Sequence, residues 1–153
     1  DGDGAFSPER AGGLPSGALV HMCYSGKYTE EQVYKMVNGK GGFNAYLGTN
    51  DMREVEKMVD GGDKNAALVK EAFIFQISKN MGAAACTLKG KVDQIILTGG
   101  IAYDKSVTDG LTERTGWIAP VTVYAGEDEL LALAQGGIRV MNGEEKAKNY
   151  ADF

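Results

Sequence analysis

Val92-Asp93-Gln94-Ile95-Ile96-Leu97-Thr98-Gly99-Gly100-Ile101-Ala102 is the stretch that decides the fold of this chain. Its first half is apolar and β-branched, the pattern of a buried strand. It ends on two glycines, and a helical pattern follows. Without a Cβ, the Gly99-Gly100 backbone can lie close to a flat or phosphorylated ligand. The same residues also suit a plain strand-to-helix turn, and these positions alone leave both readings open.

Outward from this stretch the chain reads as alternating helices and strands. Asp63 to about Leu88 is the longest helical pattern, with Val69, Phe73, Ile77, Met81, Ala84 and Leu88 spaced by three and four. Leu68, Ala72, Ile74 and Phe75 make most of its circumference apolar, which predicts a helix lying between two layers. Asp104 to Thr115 reads as a helix weakened by Gly110. Val121 to Tyr124 reads as a strand and Glu127 to Met141 as a helix with Leu130, Leu131, Ala134, Ile138 and Met141 on one side. Helix, strand, helix, strand, helix is the α/β signature, with parallel strands joined by crossover helices. Ligands in such sheets sit at the carboxyl ends of the strands, here Thr98-Gly99-Gly100 and Ala125-Gly126-Glu127-Asp128-Glu129.

The first sixty residues are less regular. Asp1 to Pro15 is glycine-rich and reads as a loop. Ser16 is a candidate cap for a helix over 17–24. Thr29-Glu30-Glu31-Gln32 fits a capping box ahead of the stripe Val33, Met36, Val37. Phe43-Asn44-Ala45-Tyr46-Leu47 alternates and suggests an edge strand. Thr49 or Asn50 would cap a helix over 52–59, with Asp51 and Glu54 in its first turn. No internal repeat, linker or heptad pattern is present.

Composition narrows the function. At 153 residues and 43% apolar, the chain is one domain in size and can bury a core. No apolar run approaches the ~20 residues of a membrane span, and Asp1-Gly2-Asp3-Gly4 has no signal-peptide character. The net charge of −5, with scattered basic residues, argues against nucleic acid or an anionic membrane as a partner. The two cysteines, Cys23 and Cys86, lie far apart in apolar surroundings. They read as buried, reduced thiols of a cytoplasmic protein. His21, the sole histidine, has no nucleophile partner and reads as structural.

Three loops are candidates for one site. In Gly48-Thr49-Asn50-Asp51-Met52-Arg53, Asp51 and Arg53 at a helix start form either an ion pair or cap, or a ligand contact. In the second case the carboxylate accepts from a ribose or base and the guanidinium stacks on the base. In Gly99-Gly100-Ile101-Ala102-Tyr103 the backbone would lie against a nucleotide, with Ile101 and Tyr103 as apolar walls. This is neither GxGxxG nor a Walker loop. Glu127-Asp128-Glu129 either complements a helix dipole or places a carboxylate near Mg²⁺. Arg10, among glycines, either pairs with Glu9 or reaches an anion.

Phe6-Ser7-Pro8-Glu9-Arg10-Ala11-Gly12-Gly13-Leu14-Pro15, Gly39-Lys40-Gly41-Gly42, Tyr46 to Val55, Leu97 to Tyr103 and Gly126-Glu127-Asp128-Glu129 together resemble the acetate and butyrate kinase family, end to end and in order. The resemblance implies a ribonuclease-H-like lobe of the actin, Hsp70 and sugar-kinase superfold, with few strands flanked by helices. It implies a two-lobe kinase of which residues 1–153 form the C-terminal nucleotide-binding lobe. The N-terminal lobe, with its phosphate-binding hairpin and much of the acyl pocket, has no counterpart in residues 1–153 by this resemblance and is the missing partner of the lobe. The implied reaction moves phosphoryl between ATP and a short-chain carboxylate such as butyrate, giving ADP and an acyl phosphate; this chain alone is expected to be inactive. By the resemblance, Gly99, Gly100 and Ile101 match the adenosine loop, and Asp51 and Arg53 match the Asp-x-Arg beside adenine and ribose. Glu127 or Glu129 takes the place of a magnesium-associated glutamate. Acetate kinases carry an arginine after the Phe-x-Pro segment; the aligned position here is near Pro15, which makes Arg10 the candidate for that catalytic role. Ala134 to Gly137 falls where a helix crosses the partner lobe. The resemblance also suggests a homo-oligomer.

Overall fold

The computed structural model describes residues 3–152, and the loop expected at Asp1 and Gly2 lies outside the described residues. Seven α-helices and two strands follow in order: α1 (Ser16–Cys23), α2 (Glu30–Val37), α3 (Gly42–Leu47), α4 (Met52–Asp60), α5 (Lys64–Thr87), β1 (Ile95–Gly99), α6 (Lys105–Thr115), β2 (Val121–Ala125) and α7 (Glu129–Met141). A 3₁₀ turn, Gly100–Tyr103, joins β1 to α6, and another spans Tyr150–Asp152. β1 and β2 are parallel, paired from Ile95↔Val121 to Gly99↔Ala125. The result is an α/β arrangement of a small parallel sheet flanked by helices, as the element order predicts.

Helix α5 organises the core. The Asp63 carboxylate caps it, accepting from the Asn65 N–H at 2.8 Å and the Ala66 N–H at 3.1 Å. Its buried stripe is Ala66, Val69, Lys70, Phe73, Ile74 and, near the end, Ala85. Phe73 meets Phe6 and Phe43 in a triangle with centroids 5.1–5.7 Å apart, in the tilted and edge-on contacts that ring quadrupoles favour. Val55 of α4, Leu97 of β1 and Val107 and Leu111 of α6 complete the core. The layer expected on the far side of α5 is not there: Leu68 and Phe75 are exposed among the described residues.

The expected edge strand over 43–47 is instead helix α3. Five residues of alternation cannot separate a period of 2 from one of 3.6, and the flanking contacts decide. The Phe43 and Asn44 N–H groups donate to Ser7 and Pro8 carbonyls at 3.1 and 2.9 Å, so the loop satisfies the helix start. Gly48, at φ 76°, closes the helix in the left-handed region. Gly42 has φ 58°, and a methyl group there would stand 1.7 Å from the Ser7 carbonyl oxygen. The loop 6–12 can seat on this turn only because Gly42 has no side chain.

Other local expectations divide. The capping box is present, with Thr29 and Gln32 bonded reciprocally. The cap of α4 is Asp51 rather than Thr49 or Asn50, because Thr49 Oγ1 accepts the Asp51 N–H at 3.1 Å and leaves the Asp51 carboxylate to bond Arg53 N–H. Ser16 is the first residue of α1 and makes no side-chain cap. β1 is buried on one face only: Leu97 packs inward while Ile96 is 59% exposed. Cys23 and Cys86 are free thiols as expected, but exposed rather than buried. Cys86 follows the buried Ala85, and one helical step turns it outward. Among the described residues no helix is long and apolar enough to cross a membrane.

Candidate functional site

The carboxyl ends of β1 and β2 are clipped together. Gly99 N–H donates to Gly126 O at 3.2 Å and Gly126 N–H to Gly99 O at 3.0 Å, while Thr98 Oγ1 donates to the same Gly126 carbonyl at 3.1 Å. Gly99 has φ 87° and ψ 176°, which only glycine adopts without strain. A methyl group at Gly99 or Gly100 would meet nothing within 4 Å. Bare backbone therefore faces open space at the strand end, where an α/β sheet holds its ligands.

That backbone is one wall of a cleft of about 490 Å³, lined by Pro8, Asn50, Asp51, Met52, Arg53, Gly100 and Ile101. Four of the residues singled out from the sequence, Asp51, Arg53, Gly100 and Ile101, thus share one cavity, although Asp51 and Ile101 are far apart in the chain. The loop 6–12 contributes Pro8, held by its carbonyl on the start of α3.

Of the two readings of Asp51 and Arg53, the ion pair and cap are present in the structure. Arg53 Nη2 stands 2.6 Å from Asp51 Oδ2, and Arg53 Nε stands 2.9 Å from Oδ1 and 3.2 Å from Oδ2. Oδ1 also accepts the Arg53 N–H at 2.9 Å. These side-chain and backbone hydrogen bonds from Arg53 hold the Asp51 carboxyl at a pKa of about 2, against a usual 3.8. The same carboxylate raises the Arg53 pKa. The carboxylate's acceptor positions are thereby taken up by its neighbour. The guanidinium is 85% exposed, fixed at one edge with its planar face free.

The other expected residues, Gly99, Tyr103, Glu127, Glu129 and Arg10, are not in the lining of the cleft. Tyr103 is exposed and covers the Gly126 turn, where a methyl group would stand 2.4 Å from its hydroxyl. Glu127 and Glu129 follow Gly126 at the start of α7. No group of three metal-capable side chains gathers among the described residues. Arg10 is exposed and its backbone pairs with Asn38. Its expected partner Glu9 instead accepts from Asn50 Nδ2 at 3.3 Å.

One pair escaped the sequence reading. Lys70 Nζ stands 2.6 Å from Asp104 Oδ2, with both side chains 7% exposed. Burial pushes the Asp104 carboxyl up, but Lys70 and Ser106 outweigh it and its pKa falls below the ordinary value. A signal was available: Lys70 lies four residues from both Ala66 and Ile74, on the stripe that the helical period buries.

A profile of the acetokinase family matches residues 3–113. The chain is 59% identical over 150 residues to a probable butyrate kinase of Clostridium botulinum (strain Eklund 17B / Type B), covering 98% of this chain and 42% of that protein. It is 55% identical, with the same coverage, to butyrate kinase 2 of Clostridium acetobutylicum. The chain thus spans about two fifths of the length of these curated relatives. Its fold superposes on an acetate kinase of Porphyromonas gingivalis with a TM-score of 0.80 at 19% identity, over 91% of this chain and 41% of that one. A propionate kinase of Francisella tularensis gives 0.72 at 21% identity, over 84% and 39%. The α/β fold is therefore the one shared with these two structures, and by the extent of its family match this chain belongs to the acetokinase family.

Proposed function

We propose that residues 1–153 form the adenosine-binding lobe of a two-lobe kinase that transfers phosphoryl between ATP and a short-chain carboxylate, butyrate by analogy with the similar kinases. The observation that carries this reading is the shared cleft, where Asn50 to Arg53 face the bare backbone of Gly100 and Ile101. Adenine lies between the Gly100-Ile101 floor and the guanidinium plane. Asp51 orients Arg53 rather than serving as the main ribose acceptor, because its oxygens are already bonded. The phosphates then run toward Gly99 and the Gly126 turn.

This placement suits phosphoryl transfer, which asks for positioning and charge neutralisation more than for a protein nucleophile. A carboxylate acceptor is ionised at neutral pH and needs no strong general base. Arg10, exposed and two residues along the chain from Pro8 of the cleft, is the arginine assigned to the transferred phosphoryl. Glu127 or Glu129 would be the carboxylate that holds Mg²⁺, and the ion would supply charge neutralisation for the transferring phosphoryl group. Tyr103 buttresses the Gly126 turn. The exposed free thiols suit a reducing, cytoplasmic setting.

The acyl pocket and the rest of the phosphate cradle belong to the N-terminal lobe. This chain alone is expected to bind ADP and to form no butyryl phosphate. Calorimetric titration with ADP tests the site: binding by the chain, weakened by an order of magnitude or more in Asp51→Ala/Arg53→Ala, is the expected result. No binding of ADP at millimolar concentration contradicts it. That outcome would favour a second reading, a non-catalytic packing module, for which the exposed Leu130, Leu133 and Met141 of α7 already speak.

A further inference from the structure

We propose that Lys70 and Asp104 are positioning residues, a buried ionic tie that fixes the far end of the Gly99–Tyr103 turn and so sets the affinity of the cleft for nucleotide. The nucleotide part rests on the reading above; the tie itself rests on geometry alone.

Asp104 ends the turn and begins α6, and its polar groups face three elements. Its N–H donates to the Ile101 carbonyl at 2.9 Å, closing the 3₁₀ turn. Its Oδ1 accepts from Ser106 N–H at 3.0 Å, Ser106 Oγ at 2.8 Å and Val107 N–H at 3.2 Å, capping α6. Its Oδ2 makes none of these bonds and has no in-line hydrogen-bond donor. What it meets is the Lys70 ammonium of α5, at 2.6 Å, off the angular range of a hydrogen bond but at ion-pair distance. One residue thus joins α5 and α6 through its carboxylate and the turn through its N–H.

A helix cap needs only one of these oxygens, and exposed caps do the work routinely. Burying the second oxygen against a lysine in the middle of a core helix gives no advantage in stability over an apolar pair of similar size. Its value lies in direction. Apolar packing lets the turn slide along α5, whereas a charge pair holds it at one point. Ile101 is two residues from Gly99 and three from Asp104, and it lines the cleft. Between the Gly99–Gly126 clip and the Asp104 tie, the floor is fixed at both ends. A rigid floor loses less freedom when a nucleotide binds.

The test compares the chain with Lys70→Met and with Lys70→Met/Asp104→Asn, measuring amide hydrogen exchange, thermal unfolding and ADP affinity. In Lys70→Met, exchange at residues 99–104 is expected to rise, and ADP affinity to fall, by roughly tenfold, a typical loss for a supporting residue. Protection in α3 and α4 is unchanged. The double variant no longer strands a buried charge and regains thermal stability, while the turn stays loose and ADP binding stays weak. Recovery of turn protection in the double variant along with its thermal stability would overturn the proposal, as would a single variant whose turn exchanges like the parent's. Should the parent chain fail to bind ADP, the nucleotide reading falls, and the exchange of residues 99–104 still decides whether the pair holds the turn.

Discussion

Helices α5 and α7 carry apolar faces of the same kind, leucine and isoleucine at helical spacing, and the chain treats them differently. α5 buries Ala66, Val69, Phe73 and Ile74 against α3, α4, β1 and α6. α7 buries nothing, with Leu130 85% and Met141 87% exposed. The outer face of α5, with Leu68 and Phe75, resembles α7 in this respect. Periodicity tells which side of a helix seeks cover. It does not tell whether the cover is encoded in the same stretch of chain. Here part of the apolar surface has a partner within the described residues and part does not. The cleft residues sit on elements that contribute to the core.

The comparison can be broken most directly at the core. Phe43 is fully buried between Phe6 and Phe73. Phe43→Ala is expected to cost about 3–5 kcal/mol in urea unfolding, the usual range for a large aromatic in a packed site. A cost below about 1 kcal/mol, the size of a surface change, would mean that α3 and loop 6–12 are not part of the cooperative unit.

The Asp51–Arg53 pair sharpens the account of the cleft wall. Its folded pKa of about 2 lies below the usual 3.8, so its contribution to stability is present above about pH 3.8 and is lost as the pH falls toward 2. Carboxyl NMR should show Asp51 titrating near 2 in the parent and near ~4 in Arg53→Ala. An unchanged midpoint in the variant would separate the two side chains in solution.

The smallest effect is expected on α7. Leu130→Ser/Leu133→Ser should shift unfolding by no more than about 0.5 kcal/mol, as for surface positions, while reducing any self-association seen by sedimentation. A loss of several kcal/mol would place α7 in the core after all.

Much of this arrangement is legible in the residues, and the legible part is local. The Thr29–Gln32 capping box, the span of α5 and the parallel pairing of the two strands all follow from caps and periods a few residues long. Asp51, Arg53, Gly100 and Ile101 could be singled out because charge and missing side chains are visible in a sequence. What was not legible depends on contacts across the chain. Phe43 to Leu47 alternates like a strand but is made a helix by Ser7 and Pro8 carbonyls. Cys86 looks buried among alanines until the helix turns it outward. The partner of Lys70, Asp104, arrives from beyond β1, a contact that no local pattern shows.

The central claim is that residues 50–53 and 99–101 form the two walls of one adenosine site. It is tested most directly by following backbone amide resonances of this chain as ADP is added. The account predicts that the amides of Asn50 to Arg53 and of Gly99 to Ile101 shift together, along a single binding curve that Arg53→Ala weakens. Shifts confined to one wall, or appearing instead in the apolar groove lined by Leu19, Cys23, Val33 and Val37 of α1 and α2, would contradict it.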